Sequence, residues 1–328
     1  MPPDRAWKKM KPPSSSSASS SSSSSSSEEC RNWLELPRDV TVSILQRLGT
    51  IEILETAQKV CMLWRNISKD PSMWNSIDMR NLGDLHDMDY DLEKMCIHAI
   101  DRSCGHLKDI NIEYFGTDKL LAYITQSSSQ LRFLRLACCY SISDEGLSKV
   151  AAKLSLLEEL DITLCSLSKE SLEVVGRCCP LLKSFKWNQQ WYATDGLSQT
   201  ECDEEAVAIA KNMPELRHLQ LIGNQLTNDG LQAILEGCPH VVSLDLRKCF
   251  NVTLSGNLGR ICAERIKNLR HPDDSIDDYG FVADDGSFDE GLDIVYSLDY
   301  IEDDEVDDDI HDDGSFDDDS DYDPTSLY

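Results

Sequence analysis

The sequence predicts an α/β solenoid preceded by a small all-helical module. An apolar block of the form L-x-x-L-x-L returns at intervals of about 25 residues. Ahead of it lies a short segment whose apolar residues keep helical spacing. Charge bounds the folded part: 24 of the 59 acidic residues fall between Asp273 and Asp323, and no Lys or Arg follows Arg270. That tail carries most of the formal net charge of -28 on the 328 residues, and the rest of the chain is near balance. A second biased stretch, serine from Ser14 to Ser27 except for Ala18, has no apolar surface to bury. The expected organisation is a disordered Ser-rich leader over 1–29, the helical module over 30–75, repeats over 76–271 and a disordered acidic tail over 272–328.

The repeat register is explicit. Leu107/Ile110/Ile112, Leu131/Leu134/Leu136, Leu157/Leu160/Ile162, Leu182/Phe185/Trp187, Leu216/Leu219/Leu221 and Val241/Leu244/Leu246 are equivalent, and Trp74/Ile77/Met79 is a degenerate earlier copy. Between blocks the period changes from alternation to helical, as in Leu147, Val150, Ala151, Leu154 and in Leu231, Ile234, Leu235. Each unit therefore reads as strand, turn, helix. Cys139, Cys165, Asn224 and Cys249 follow the last apolar strand position by three residues, and Cys104, Cys179 and Cys238 precede the first by three. This double periodicity assigns most of the thirteen cysteines to packing, and no C-x-x-C pair suggests a metal.

The pattern resembles the cysteine-containing leucine-rich repeat. That resemblance implies stacked strands forming a concave parallel sheet, the default binding face. One column of the face is Asp109, Phe133, Glu159, Ser184, His218 and Ser243, and the next is Asn111, Arg135, Asp161, Lys186, Gln220 and Asp245. From these, Phe133, Arg135, Glu159, Asp161, Lys186, His218, Gln220 and Asp245 are candidates for substrate contact. The mixed charge disfavours nucleic acid, which calls for clustered Lys and Arg with stacking aromatics. The interval from Leu182 to Leu216 is about nine residues longer than its neighbours. Its excess holds Trp191 and Tyr192, which read either as an exposed hot spot or as aromatics folded back on the solenoid edge.

In the module, Pro37 suits the first turn of a helix with Val40, Ile44, Leu45 and Leu48 on its apolar face, closed by Gly49. A second helix is expected with the stripe Ile53, Leu54, Ala57, Val60, Cys61 and Trp64, closed at Asp70-Pro71. So small a piece cannot bury these groups alone and calls for a partner surface. Leu36-Pro37, Ile44-Leu45, Leu48, Val60-Cys61, Trp64 and Trp74 together resemble the F-box, with Ile51-Glu52-Ile53 where an Asp-Leu-Leu-like turn is more usual. Through about His271 the chain is similar to plant F-box/leucine-rich-repeat proteins of the SKP-interacting type.

The resemblance implies a receptor in an SKP–cullin–F-box ubiquitin ligase. Its F-box would bind an SKP-type adaptor, and through it cullin, a RING protein and a ubiquitin-conjugating enzyme; its repeats would bind a protein substrate for ubiquitination and proteasomal degradation. Leu36, Pro37, Val40, Ile44, Leu45, Leu48, Val60, Cys61 and Trp64 match adaptor-facing or structure-forming positions, two sets that sequence does not divide. No nucleotide-binding, nucleophile-elbow or zinc-helix motif is present, so neither catalysis, cofactor nor metal is expected. The ligase's chemistry would belong to its other subunits, with this chain supplying proximity. No apolar run approaches the ~20 residues of a membrane span, and the N-terminus lacks a signal-peptide core. The expected location is the nucleus, the cytoplasm or both.

The tail reads either as a solubilising segment or as an acidic arm. As an arm it would recruit a basic partner or fold over Arg132, Arg135, Lys183 and Lys186 and compete with substrate. The alternative to the ligase reading is a non-ligase repeat scaffold, or an acidic chaperone gripping basic proteins through the tail.

Overall fold

A computed structural model describes residues 36–81, 90–189 and 201–281. Eight short strands lie in one parallel sheet in chain order: β1 (Ser76–Met79), β2 (Asp109–Glu113), β3 (Phe133–Ala137), β4 (Glu159–Thr163), β5 (Ser184–Asn188), β6 (His218–Gln220), β7 (Ser243–Asp245) and β8 (Asn268–Arg270). A helix links each strand to the next: α4 (Leu92–Arg102), α5 (Asp118–Ser127), α6 (Asp144–Ala151), α7 (Lys169–Cys178), α8 (Glu204–Asn212), α9 (Asn228–Gly237) and α10 (Gly256–Arg265). The chain belongs to the solenoid class that the apolar period predicts.

The register follows from alternation. Ile110, Leu134, Leu160, Phe185, Leu219 and Leu244 are all buried and stand side by side. Both predicted face columns form, Asp109 through Ser243 and Asn111 through Asp245. Trp74, Ile77 and Met79 do supply the first copy, the latter two in β1 and all three buried. β8 adds a final strand whose single apolar residue, Leu269, is half-buried.

Just beyond the strands the backbone turns through left-handed conformations at Tyr114, Cys138, Leu164, Gly223 and Lys248. Such turns strand carbonyls inside the stack, and the periodic cysteines meet them. Cys139 Sγ lies 3.3 Å from the Ala137 oxygen, Cys165 Sγ 3.4 Å from that of Leu136, and Cys249 Sγ 2.8 Å from that of Leu221. In the equivalent place Asn224 Oδ1 accepts from the Leu226 N–H at 3.0 Å. Burial pushes the Cys179 and Cys238 thiols up to about 12 and about 11, so both remain protonated. The twelve described cysteines are unpaired with one another. Cys104 departs from the packing expectation: it is exposed, at a turn with φ 49°.

The helix starts sew neighbouring units together. Ser143 caps α6 by accepting from Gly146 N–H at 3.0 Å, while Asp118 of the preceding unit accepts from the Ser143 N–H at 2.8 Å and hydroxyl at 2.6 Å. Asp144 does the same for Ser168, and Asp203 for Thr227. Gly146 and Gly230 are glycine because a Cβ there would overlap Asp118 or Asp203, at 1.9 and 2.1 Å.

Ahead of the sheet, α1 (Arg38–Leu45), α2 (residues 50–60, with a π turn at Ile53–Ala57) and α3 (Met62–Ser68) precede a 3₁₀ turn at Pro71–Trp74. The expected single second helix is two: Cys61 is extended, with φ -156° and ψ 167°. Leu45, Ile53, Leu54, Ala57, Ile67 and Trp74 share one continuous core with the first repeats. The joint is specific. Trp74 Nε1 donates to the Ser68 oxygen at 2.9 Å, and the Arg102 guanidinium sits 5.4 Å from the Trp74 ring centre. Arg102 also donates to that oxygen at 3.1 Å and to Gln58 Oε1 at 3.0 Å.

Candidate functional site

Two surfaces stand out. On the helical module, the residues that sequence could not divide now separate. Leu45 is buried and structural. Leu36, Ile44, Leu48, Cys61 and Trp64 are half-buried, and Pro37 is exposed. Val40 and Val60 are 41% and 60% exposed. Met62, which the stripe reading omitted, is 69% exposed. Val60 and Met62 flank the extended Cys61, so the helix break turns two large apolar side chains outward. Exposed apolar groups on so small an element are what the expected partner surface would cover.

The second surface is a groove of about 1490 Å³ along the strand face, running from the α1–α2 connection to Arg247. Phe133, Arg135, Asp161, Lys186 and Gln220 line it, whereas Glu159, His218 and Asp245 do not. Trp191 and Tyr192 lie outside the described residues. A polar chain crosses the floor: Arg80 pairs with Asp78 at 2.7 Å, and Asn111 links Asp78 at 3.3 Å to Arg135 at 3.0 Å. Arg135 pairs with Glu113 and, at 3.3 Å, with Asp161, which Lys186 also meets at 2.9 Å. Asp161 is thereby buried and saturated by Arg135, Lys186 and the Thr163 hydroxyl, so it organises the floor and is no free contact for a substrate. Asp245 is likewise engaged, accepting from Arg247 and, at 3.1 Å, from Gln220 Nε2. Glu113, Thr163, Asn188 and Arg247 were missed because they lie at or beyond the strand ends, past the two columns read from alternation.

Arg247 is the strongest anchor in the groove. It is 3% exposed, and its guanidinium holds Asp245 through Nε and Nη2 at 2.8–3.1 Å. Its remaining nitrogen, Nη1, donates to the Ser275 oxygen at 2.9 Å and to Asp278. The boundary expected at His271 therefore moves: residues 272–281 are held on the sheet. Lys248 N–H donates to the Pro272 oxygen at 2.8 Å, and Arg270 reaches Asp278 at 3.4 Å. The Arg247 guanidinium holds the Asp278 carboxyl below its ordinary value. Beyond it Tyr279 and Phe281 meet edge to face at 5.7 Å, and the Arg135 guanidinium lies 5.4 Å from the Phe281 ring centre. Burial beside Asp161 raises the Tyr279 phenol. Among the described residues, the one base of those expected to attract the tail that meets it is Arg135; Arg132 and Lys183 both pair with Glu158, and Lys186 with Asp161.

A helical module with three exposed large apolar side chains, fused to a repeat solenoid with a polar groove, presents two separate surfaces. Residues 33–80 match the F-box-like family, and residues 127–151 and 212–235 match the Leucine Rich repeat family. The F-box protein SKIP19 of Arabidopsis thaliana is 56% identical over 250 residues, covering 76% of this chain and 80% of that protein. The putative F-box/LRR-repeat protein 23 of the same plant is 53% identical over 76% of this chain and 55% of its own length. The putative F-box/LRR-repeat protein 22 is 48% identical over 80% and 85%. The chain belongs to the F-box/leucine-rich-repeat family.

Proposed function

We propose that this chain is the substrate-recognition subunit of an SKP–cullin–F-box ubiquitin ligase. The face bearing Val40, Val60 and Met62 docks on an SKP-type adaptor. The groove over β1–β6, reaching to Arg247, holds a protein destined for ubiquitination and degradation. The observation that carries this reading is the outward pair Val60 and Met62, on an F-box whose remaining core is continuous with the solenoid. The adaptor brings cullin, RING protein and conjugating enzyme, and this chain contributes no covalent chemistry. It raises the local concentration of substrate beside the enzyme.

Co-purification of the full chain with an SKP-type adaptor tests the proposal. Val60→Asp/Met62→Asp is expected to weaken that complex at least tenfold, because two desolvated apolar contacts are exchanged for carboxylates. Both side chains point outward, so the thermal midpoint should stay within a few degrees of the parent. A parent chain that does not bind the adaptor, or a variant that binds it equally, defeats the reading.

A further inference from the structure

Residues 278–281 close one side of the groove and meet its strand face as a ligand would, with Phe281 beside Arg135 and Tyr279 beside Asp161. The segment from Ser275 carries an acidic pair followed by two aromatics, Asp277-Asp278-Tyr279-Gly280-Phe281. Three of its groups are met: Arg247, with Arg270 beside it, takes the Asp278 carboxylate, Arg247 also takes the Ser275 carbonyl, and Arg135 faces the Phe281 ring. Asp278, Tyr279, Gly280 and Phe281 all line the same groove as Asn111, Phe133 and Asn188. The segment is locally folded for this purpose, with Asp277 N–H donating to the Ser275 hydroxyl at 3.1 Å and Tyr279 N–H to the Ile276 oxygen at 2.8 Å.

Sequence supplies an independent observation. The spacing Asp-Asp-x-x-Phe of 277–281 recurs as Asp284-Asp285-Gly286-Ser287-Phe288 and again as Asp312-Asp313-Gly314-Ser315-Phe316. A merely solubilising tail has no need of an aromatic residue at a fixed distance from an acidic pair.

We propose that the groove is a receptor site for short acidic–aromatic peptide segments of the form Asp-Asp-x-x-Phe, with residues 277–281 as its built-in occupant. A substrate segment of the same chemistry must displace that occupant before it is held. This rests on reading the groove as the substrate face, and it adds the class of sequence that the face selects. A tethered occupant competes at an effective concentration in the millimolar range, so it raises the apparent Kd of an outside peptide in inverse proportion to the fraction of chains whose groove is vacant.

The test uses the full chain and a fluorescein-labelled peptide of residues 274–281, read by anisotropy at moderate salt. Tyr279→Ala/Phe281→Ala vacates the aromatic half of the groove and is expected to bind the peptide at least tenfold more tightly than the parent. A control peptide with Ala at both aromatic positions, its charge unchanged, is expected to bind at least tenfold more weakly than the probe. Equal binding by parent and variant, or equal binding of the two peptides, overturns the proposal. A second measurement needs no variant: saturating peptide is expected to speed amide hydrogen exchange across 275–281 of the parent, and unchanged exchange counts against it. Adaptor co-purification of the same proteins separates the readings. Peptide binding without adaptor binding removes the ligase role and leaves the groove's preference standing, and the converse removes the preference alone.

Discussion

The stitch between repeats makes a prediction with a change of sign. A Cβ at position 146 would lie 1.9 Å from Asp118 Oδ1, well inside contact distance, so Gly146→Ala must expel the Asp118 carboxylate. That carboxylate holds the Ser143 N–H and hydroxyl at 2.8 and 2.6 Å. Two hydrogen bonds to a charged group are worth about 1.5–3 kcal/mol each at most, discounted here because Ser143 is exposed and water replaces part of the loss. Replacing a helical glycine returns about 0.5–1 kcal/mol. The net expectation is a destabilisation of about 1–3 kcal/mol. In an Asp118→Ala background the obstacle is gone and the propensity gain remains, so the same Gly146→Ala change should then stabilise by about 0.5 kcal/mol. Equilibrium urea unfolding of the four proteins measures both effects. Equal destabilisation in both backgrounds would show that position 146 is crowded by something other than the stitch.

Two further outcomes follow from groups the fold has buried. Burial raises the Glu205 carboxyl above its ordinary value, even though Gln189 and Asn224 donate to it at 2.7–2.9 Å. A raised folded value means the native state binds the proton more tightly than the unfolded chain, so the charged form costs stability above that value and the cost fades as pH falls. The stability of Glu205→Gln relative to the parent should therefore decline as pH falls from neutrality towards the ordinary carboxylate range, and a difference in denaturation that stays constant or grows over that fall would refute the assignment. In native-state thiol labelling read by mass spectrometry, Cys104 is expected to react well before Cys179, Cys238 and Cys249, which label only on unfolding. Labelling of Cys249 at the rate of Cys104 would contradict the buried Sγ contact to Leu221.

Sequence legibility followed the strength of the periodic signal. The six blocks from Leu107 to Leu246 were readable because each places its apolar residues on the buried side of a strand, and a one-residue slip would have reversed every side chain. β8 escaped because Asn268 and Arg270 flank one half-buried leucine, which carries no alternation. The helical module misled in a different way: Val60 and Cys61 fit an apolar stripe, but the backbone opens at Cys61 and sends Val60 and Met62 outward. An apolar residue meant for an interface is indistinguishable in sequence from one meant for the core. Arg247 was unreadable for a third reason. Its importance comes from Ser275 and Asp278, 28 and 31 residues away, and from the chain's return across the sheet.

That return bears on how a bridging receptor could work. Residues 46–51, from the end of α1 into the first turn of α2, line the same groove as Arg135 and Arg247, whereas Val40, Val60 and Met62 do not line it. The two faces therefore share a scaffold without sharing side chains, which is the requirement for adaptor and substrate to be held together on the proposed reading. The scaffold between them is held by Ser68, whose carbonyl receives both Trp74 and Arg102, and by the guanidinium stacked on the Trp74 ring. A joint made of a buried tryptophan and a doubly bonded carbonyl resists bending more than a solvated linker would, because any hinge motion there must expose the ring or orphan the carbonyl. On the proposed reading, the position of a substrate relative to the adaptor is then set by the fold, and its selection is left to the groove.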